Sequence, residues 1–353
     1  MSVGIITSDI FKKHDTSEAT LTGKYNHPES PQRIESIFLH LGNKEIWKKS
    51  EHILTRSITM EELYKVHTPE YVNSVKQFCQ NGGGRIDEDT VTSPESYATA
   101  LIAAGSILQG VDAVMTNQLK KVFCLIRPPG HHALPDQTMG FCLFSNLSLG
   151  ATYAMSKYNV ERILVLDWDA HHGNGTEKIF YNNKNVLTIS WHQSPFWPFS
   201  GKYTDIGEGQ GQGYNINIPI PEAFTDEIFI ETFDQIVIPA ARQFKPQLIM
   251  IASGYDAHHS DPLAGLNLTN QAYQFLSKRA MALAEELCEG KIIATLEGGY
   301  NLDALVNGVD STLNFMHHPD ANIKNDYERE KDDNKRQIKT LIDSIIKIQP
   351  LLK

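Results

Sequence analysis

Cysteine is scarce in this 353-residue chain: Cys79, Cys124, Cys142 and Cys288 are the four present, and they lie far apart. They form neither the dense framework of a disulfide-stapled secreted domain nor the paired spacing of a zinc ribbon. No long run of Lys or Arg exists, and 42 acidic against 32 basic residues give a formal charge of -10. A general nucleic-acid binder is expected to carry a basic face, so no direct nucleic-acid partner is expected. The opening stretch, MSVGIITSDIFKKHD, has too short an apolar run for a secretory signal. No apolar stretch is expected to reach across a bilayer, which speaks against a membrane partner. Four free thiols suit a reducing compartment, so the expected location is cytoplasmic. Internal repeats and low-complexity tracts are lacking as well.

What the chain does contain is 41% hydrophobic residues, enough for one large core. Near-continuous runs of Val, Ile and Leu occur at Val3–Ile6, Val122–Ile126, Ile163–Leu166, Val186–Ile189, Leu248–Ala252 and Ile292–Leu296. Such runs read as strands covered on both faces. Helical periodicity fills the segments between them: Pro94–Met115, Asn146–Ser156, Thr225–Phe244, Asn270–Leu287 and Leu302–Phe315. The alternation predicts an α/β fold: a single domain with a central, mainly parallel sheet flanked by helices. From about His317 the character changes. NDYEREKDDNKRQ reads as a solvated charged segment, and LIDSIIKIQPLL as a short amphipathic helix packing back on the domain.

The glycine-rich and proline-rich segments follow the strands. RPPGHHALPDQTMGFC comes after the second run, DWDAHHGNGT after the third and WHQSPFWPFSGKYTDIGEGQGQG after the fourth. SGYDAHHSDPLAG follows the fifth and EGGY the sixth. Sites in open α/β sheets form outside the carboxyl ends of the strands, so these five segments are expected to converge.

Asp169 and His171 stand two apart after a strand. If the chain stays extended there, both side chains point one way, giving a carboxylate and an imidazole for a divalent ion such as zinc. Asp256, also after a strand, is the best candidate for a third ligand. Three protein ligands and one open position characterise a catalytic zinc. A D-x-H pair alone is equally a helix cap or a surface hydrogen bond; the second strand-end D-A-H-H and the separate His131–His132 pair favour the metal. His258 and His259 read as rim or supporting groups. His131 and His132, on a loop stiffened by Pro-Pro-Gly, are suited to divide general acid and base work, each oriented by a partner. Asp167 and Asn174 are the candidate partners. Tyr300, after Gly-Gly, is placed to donate to an oxyanion.

These segments resemble the histone deacetylase superfamily, which also contains acetoin-utilisation proteins and acetylpolyamine amidohydrolases. The resemblance rests on RPPGHHA at 127–133, GFC at 140–142, DWDAHHGNGT at 167–176, GYDAHHSDPLAG at 254–265 and LEGGY at 296–300, with HPESPQR at 27–33 like the family's early loop. It implies the arginase/deacetylase fold for residues 1–318, with 319–353 as the charged segment and terminal helix. It implies zinc, one per chain, on Asp169, His171 and Asp256, with His131 paired to Asp167 and His132 as general base. By the same resemblance Tyr300 polarises the carbonyl, and Gly140 and Phe141 line an acyl-lysine tunnel opposite Phe196. A structural potassium ion is implied at Asp167, Asp169, His171, Ser190 and Trp191. Asn174 leans toward the second class of the family and its bacterial relatives. Leu263 stands where the polyamine-specific member carries glutamate, which favours acetyl-lysine peptides or proteins over acetylated polyamines. The aromatic loop QSPFWPFSG at 193–201 could shape a restricted entrance or pack on a second subunit, so a homo-oligomer stays open. An arginase-like manganese hydrolase would show more carboxylate ligands, and a silent scaffold protein would have lost a ligand or Tyr300.

Overall fold

Strands covered by helices on both faces have no solvent side and need no polar residue, which is why the Val, Ile and Leu runs form the sheet. The computed structural model describes residues 3–20, 23–25, 27–324, 327 and 329–353. Its main sheet has strands β1 (Val3–Ile6), β2 (Glu51–Ile53), β3 (Lys121–Cys124), β4 (Ile163–Asp167), β5 (Val186–Gln193), β6 (Asn215–Ile220), β7 (Leu248–Ser253) and β8 (Ile292–Leu296). Their order across the sheet is β6-β5-β4-β7-β8-β3-β1-β2. Every pairing in it is parallel. The six expected runs are all strands, and the two unexpected ones lie at the edges. Strand β6, NINIPI, alternates Asn with Ile, and β2 has three residues; neither shows a continuous apolar run.

The helices differ more from expectation. The segment Thr225–Phe244 is broken into Asp226–Thr232, a wide turn at Phe233–Val237 and Ile238–Phe244. Pro239 in the last piece has no N–H for the carbonyl four residues back, and the chain widens there instead of continuing as one helix. Ser96–Met115 corrects another expectation: by length and composition it could cross a membrane, but 67% of its apolar window is buried inside the fold. Helices Gln32–Leu41 and Pro69–Gln80 were not expected. At the other end, half of the charged segment is helical, since Asp332–Ile348 forms one helix that buries Ile338, Ile342 and Ile345 at helical spacing. Its end is tied to the sheet edge, where Gln349 Nε2 donates to Asn215 O at 2.7 Å.

One buried ion cluster joins three of the loops. Glu29, Arg33 and Arg127 are all fully buried. Arg127, at the head of the RPPGHHA loop, donates from Nη2 to Glu29 Oε2 at 2.7 Å, and Arg33 Nη1 donates to Glu29 Oε1 at 3.1 Å. Arg33 also donates to the carbonyls of Glu297 and Gly299, at 2.5 and 2.8 Å, inside EGGY. Burial pushes the Glu29 carboxyl up, but Arg127 and the hydrogen bond from His14 outweigh it and hold it well below its ordinary range. Glu29→Gln leaves two guanidinium groups short of a counter-charge, so denaturant unfolding near neutral pH is expected to show a loss of about 3–5 kcal/mol. A depressed carboxyl contributes stability that is complete above its unfolded pKa of 4.5 and fades as pH falls toward the folded value. The deficit of the variant is therefore expected to shrink in acid.

Candidate metal centre and active site

Five of the strands, β5, β4, β7, β8 and β3, are consecutive neighbours in the sheet. The five chemically rich segments leave their carboxyl ends and so meet over the middle of the sheet. Among the described residues one group of three offers ligand atoms to a metal: Asp169, His171 and Asp256, whose atoms lie within 4.8 Å of one another. His171 Nδ1 is 2.9 Å from Asp256 Oδ2 and 3.2 Å from Asp169 Oδ1. The chain does not remain extended here, contrary to expectation. Asp169 Oδ1 accepts the His171 backbone N–H at 2.9 Å, and this turn swings the imidazole back over the carboxylates.

Their remaining oxygens are satisfied by backbone. Asp169 Oδ2 accepts from Gly298 N at 2.8 Å, and Asp256 Oδ1 from Ala170 N at 2.7 Å. Gly254 and Gly298 have to be glycine, because a Cβ at either would collide with the ligand carboxylates. Both aspartates are fully buried. Burial and the neighbouring Asp169 charge push the Asp256 carboxyl up to about 7. Two buried carboxylates and an imidazole facing one point carry the charge and the donor set that a divalent cation requires.

The histidine pair stands beside this cluster with ring centres 3.8 Å apart. His131 Nδ1 is 3.0 Å from Asp167 Oδ2, and His132 Nδ1 is 2.8 Å from Asn174 Oδ1. The partners make the two rings unlike. Burial alone would lower His131, but the Asp169 and Asp167 carboxylates outweigh it and raise it well above its ordinary value. For His132, burial and the adjacent His131 act together and lower it well below. Glu297 secures the loop, since its Oε2 accepts the N–H groups of Gly130 and His131 at 2.7 and 3.1 Å.

Tyr300 enters the site from the loop that follows β8. Its backbone N–H donates to Asp261 Oδ2 at 2.6 Å, and the Arg33 guanidinium lies over its ring at 5.2 Å. Burial raises the phenol well above its ordinary value, so it remains a hydrogen-bond donor. A pocket of about 190 Å³ leads down to these groups, lined by Asp89, His132, Gly140, Phe141, His171, Phe196, Trp197, Leu263 and Tyr300.

Two of these lining residues were not anticipated. Trp197 stands edge-on to His132 at 4.8 Å, and a Cβ on Gly140 would strike its ring, so the indole spans from Phe196 across to the opposite wall. A second large aromatic beside Phe196 was the available signal. Asp89 accepts the Gly140 N–H at 3.1 Å while Thr90 Oγ1 accepts that of Phe141 at 3.1 Å. These bonds hold the left-handed turn at Gly140 and Phe141, and nothing in EDT distinguishes it from an ordinary polar loop. Of the remaining expected positions, Ser190 pairs with Asp167 across β4 and β5, with Oγ 3.0 Å from His192 Nδ1. The Trp191 ring turns into the core, where Nε1 donates to Thr232 Oγ1 at 2.8 Å. His258 is engaged locally with Ser260 at 2.8 Å and is outside the group of three.

Residues 27–316 match the histone deacetylase domain. A probable deacetylase of Archaeoglobus fulgidus is 36% identical over 86% of this chain and 82% of its own length. A histone deacetylase-like amidohydrolase of Pseudomonas aeruginosa is 37% identical over 79% of this chain and 73% of its own. The chloroplastic histone deacetylase 14 of Arabidopsis thaliana is 36% identical over 86% of this chain and 76% of its own. Among solved structures, the HDA15 HD domain superposes with a TM-score of 0.88 at 30% identity, covering 99% of this chain and 97% of that one. A family domain spanning most of the chain, relatives above 30% identity matched over most of their length and the shared fold lead to one assignment: the chain belongs to the histone deacetylase family of deacetylases and amidohydrolases.

Proposed function

We propose that the chain is a zinc-dependent deacetylase that hydrolyses the amide of Nε-acetyl-lysine in peptides or proteins. The observation that carries this reading is the pocket lined by His132, His171 and Tyr300, in which His171 belongs to the ligand group it forms with Asp169 and Asp256. Its apolar walls, Phe141, Phe196, Trp197 and Leu263, fit a polymethylene chain, with Asp89 as the acidic residue of the lining. Zinc would be held by Asp169, His171 and Asp256, and when bound it would supply the Lewis acidity for activating water near neutral pH and for polarising an acyl carbonyl.

The protein's own groups do the rest. Asn174 Oδ1 has no hydrogen to give, so His132 carries its hydrogen on Nδ1 and presents a free Nε2 that takes a proton from the attacking water. His131, held by Asp167 and raised by the carboxylates around it, supplies positive potential when protonated as negative charge develops. Tyr300 donates its O–H to the forming oxyanion, and His132 returns the proton to the leaving amine.

The test is kcat/KM of zinc-loaded enzyme for acetyl-lysine peptides against acetylated polyamines. A preference for peptides supports the reading, whereas a preference for polyamines transfers the same chemistry to a small cationic amine and leaves Leu263 without its assigned role. The pocket wall yields a further expectation. One methylene in such a pocket is worth roughly tenfold or more in discrimination. Trp197→Ala should therefore raise kcat/KM for butyryl-lysine relative to acetyl-lysine peptide by about that factor, measured by mass spectrometry of the freed lysine.

A further inference from the structure

The hydrogen bond that orients His132 carries an ambiguity that a carboxylate would not have. Asn174 bears an acceptor and a donor on the same carbon. With Oδ1 toward the ring, as found at 2.8 Å, His132 holds its hydrogen on Nδ1 and Nε2 is free. With the amide turned over, Nδ2–H would meet Nδ1, the ring hydrogen would move to Nε2, and no base would face the pocket. Both arrangements give His132 one hydrogen bond, so that contact alone does not choose between them.

The choice is made at the other end of the amide. Asn174 Nδ2 lies 3.2 Å from Sδ of Met139. A thioether sulfur accepts weakly and has no hydrogen to donate. It therefore favours the amide that offers it Nδ2–H and opposes the one that would face it with Oδ1. The sulfur is also well located. Met139 exchanges backbone hydrogen bonds with Cys142, at 2.9 and 3.3 Å. It directly precedes the Gly140–Phe141 turn, which Asp89 and Thr90 hold from outside.

We propose that Met139 is a positioning residue: its sulfur takes the Nδ2–H of Asn174 and thereby holds His132 in the form with hydrogen on Nδ1. The consequence for catalysis rests on His132 being the general base, as argued above.

The experiment uses the full-length, zinc-loaded protein labelled with ¹⁵N-histidine. Long-range proton–nitrogen spectra distinguish the two ring forms, and His132→Gln identifies the signal. Met139→Leu preserves volume and is tolerated in most cores. In the wild type the Nδ1–H form is expected alone. In Met139→Leu a mixture is expected, and kcat should fall roughly two- to fivefold at constant KM, in proportion to the competent fraction. Asn174→Asp supplies the internal control, because either carboxylate oxygen accepts from Nδ1–H. In that background Met139→Leu should change neither ring form nor kcat. A Met139→Leu protein that keeps only the Nδ1–H form, or that loses the same activity in both backgrounds, overturns the proposal. If the leucine variant fails to fold, Met139→Ile serves the same comparison. Should no N-acyl amine be hydrolysed by the wild type, the reading of function falls, while the ring spectra still decide the role of Met139.

Discussion

Asp256→Asn is expected to raise the thermal stability of the metal-free protein while abolishing metal binding and catalysis. The two effects have one origin. Asp256 is fully buried beside the Asp169 carboxylate, and burial together with that charge pushes its carboxyl up to about 7. A carboxyl raised in the fold is best tolerated when protonated. Its penalty grows as pH rises from the unfolded value of 3.8 and is complete above the folded value of about 7. Asparagine removes that charge and keeps an oxygen for the Ala170 N–H, which Asp256 Oδ1 now accepts at 2.7 Å. Near pH 8 the gain is expected to be on the order of 2 kcal/mol, or several degrees in Tm, and to be much smaller near pH 5. The same substitution removes one of three ligands. Zinc should then give no stabilisation of the variant, and deacetylation should fall by at least about 10³. Scanning calorimetry with and without zinc reads both effects. A variant less stable than the metal-free parent near pH 8 would contradict the electrostatic account of this cluster.

Tyr300→Phe is expected to lower kcat and kcat/KM together by about 10²–10³. The phenol is raised by burial and remains a donor. No described side chain takes its hydrogen bond, so its O–H is available for charge that appears in the transition state. The ring itself is retained by phenylalanine, which keeps the edge contact with Phe141 at 5.7 Å and the Arg33 guanidinium at 5.2 Å. KM and the zinc stoichiometry should therefore stay near the parent values. A rise in KM with kcat intact would assign Tyr300 to ground-state binding instead.

The sheet was legible wherever a strand is covered on both faces. Strands β3, β4, β5, β7 and β8 show as apolar runs, and their carboxyl ends deliver every expected ligand and acid–base residue. The edge strand β6 was not legible, because Asn215 and Asn217 turn inward to donate to Glu177 Oε2 and break the apolar pattern. The meeting of Asp169, His171 and Asp256 could be read from residue types, but the reason it occurs could not. Extended geometry would align residues two apart, whereas the actual loop folds back through a side-chain turn. Trp197 and Asp89 escaped notice for a related reason. Which aromatic of QSPFWPFSG faces the pocket depends on contacts at distant positions, such as the Ser200 Oγ that lies 2.8 Å from His172 Nδ1 and the Gly201 carbonyl 2.8 Å from His192 Nε2. The Met139–Asn174 contact joins residues 35 positions apart and has no local signature.

We propose that this site releases acetate from an acetylated amine by using one zinc ion. The most direct measurement is acetate release from an Nε-acetyl-lysine peptide by chelated protein, followed as zinc is returned. No release is expected without metal, and recovery should end at one zinc per chain. Tyr300→Phe is expected to take up zinc to the same endpoint with little release. Release that persists in the chelated protein, or zinc-loaded parent protein that frees no acetate from peptide or polyamine, would contradict it.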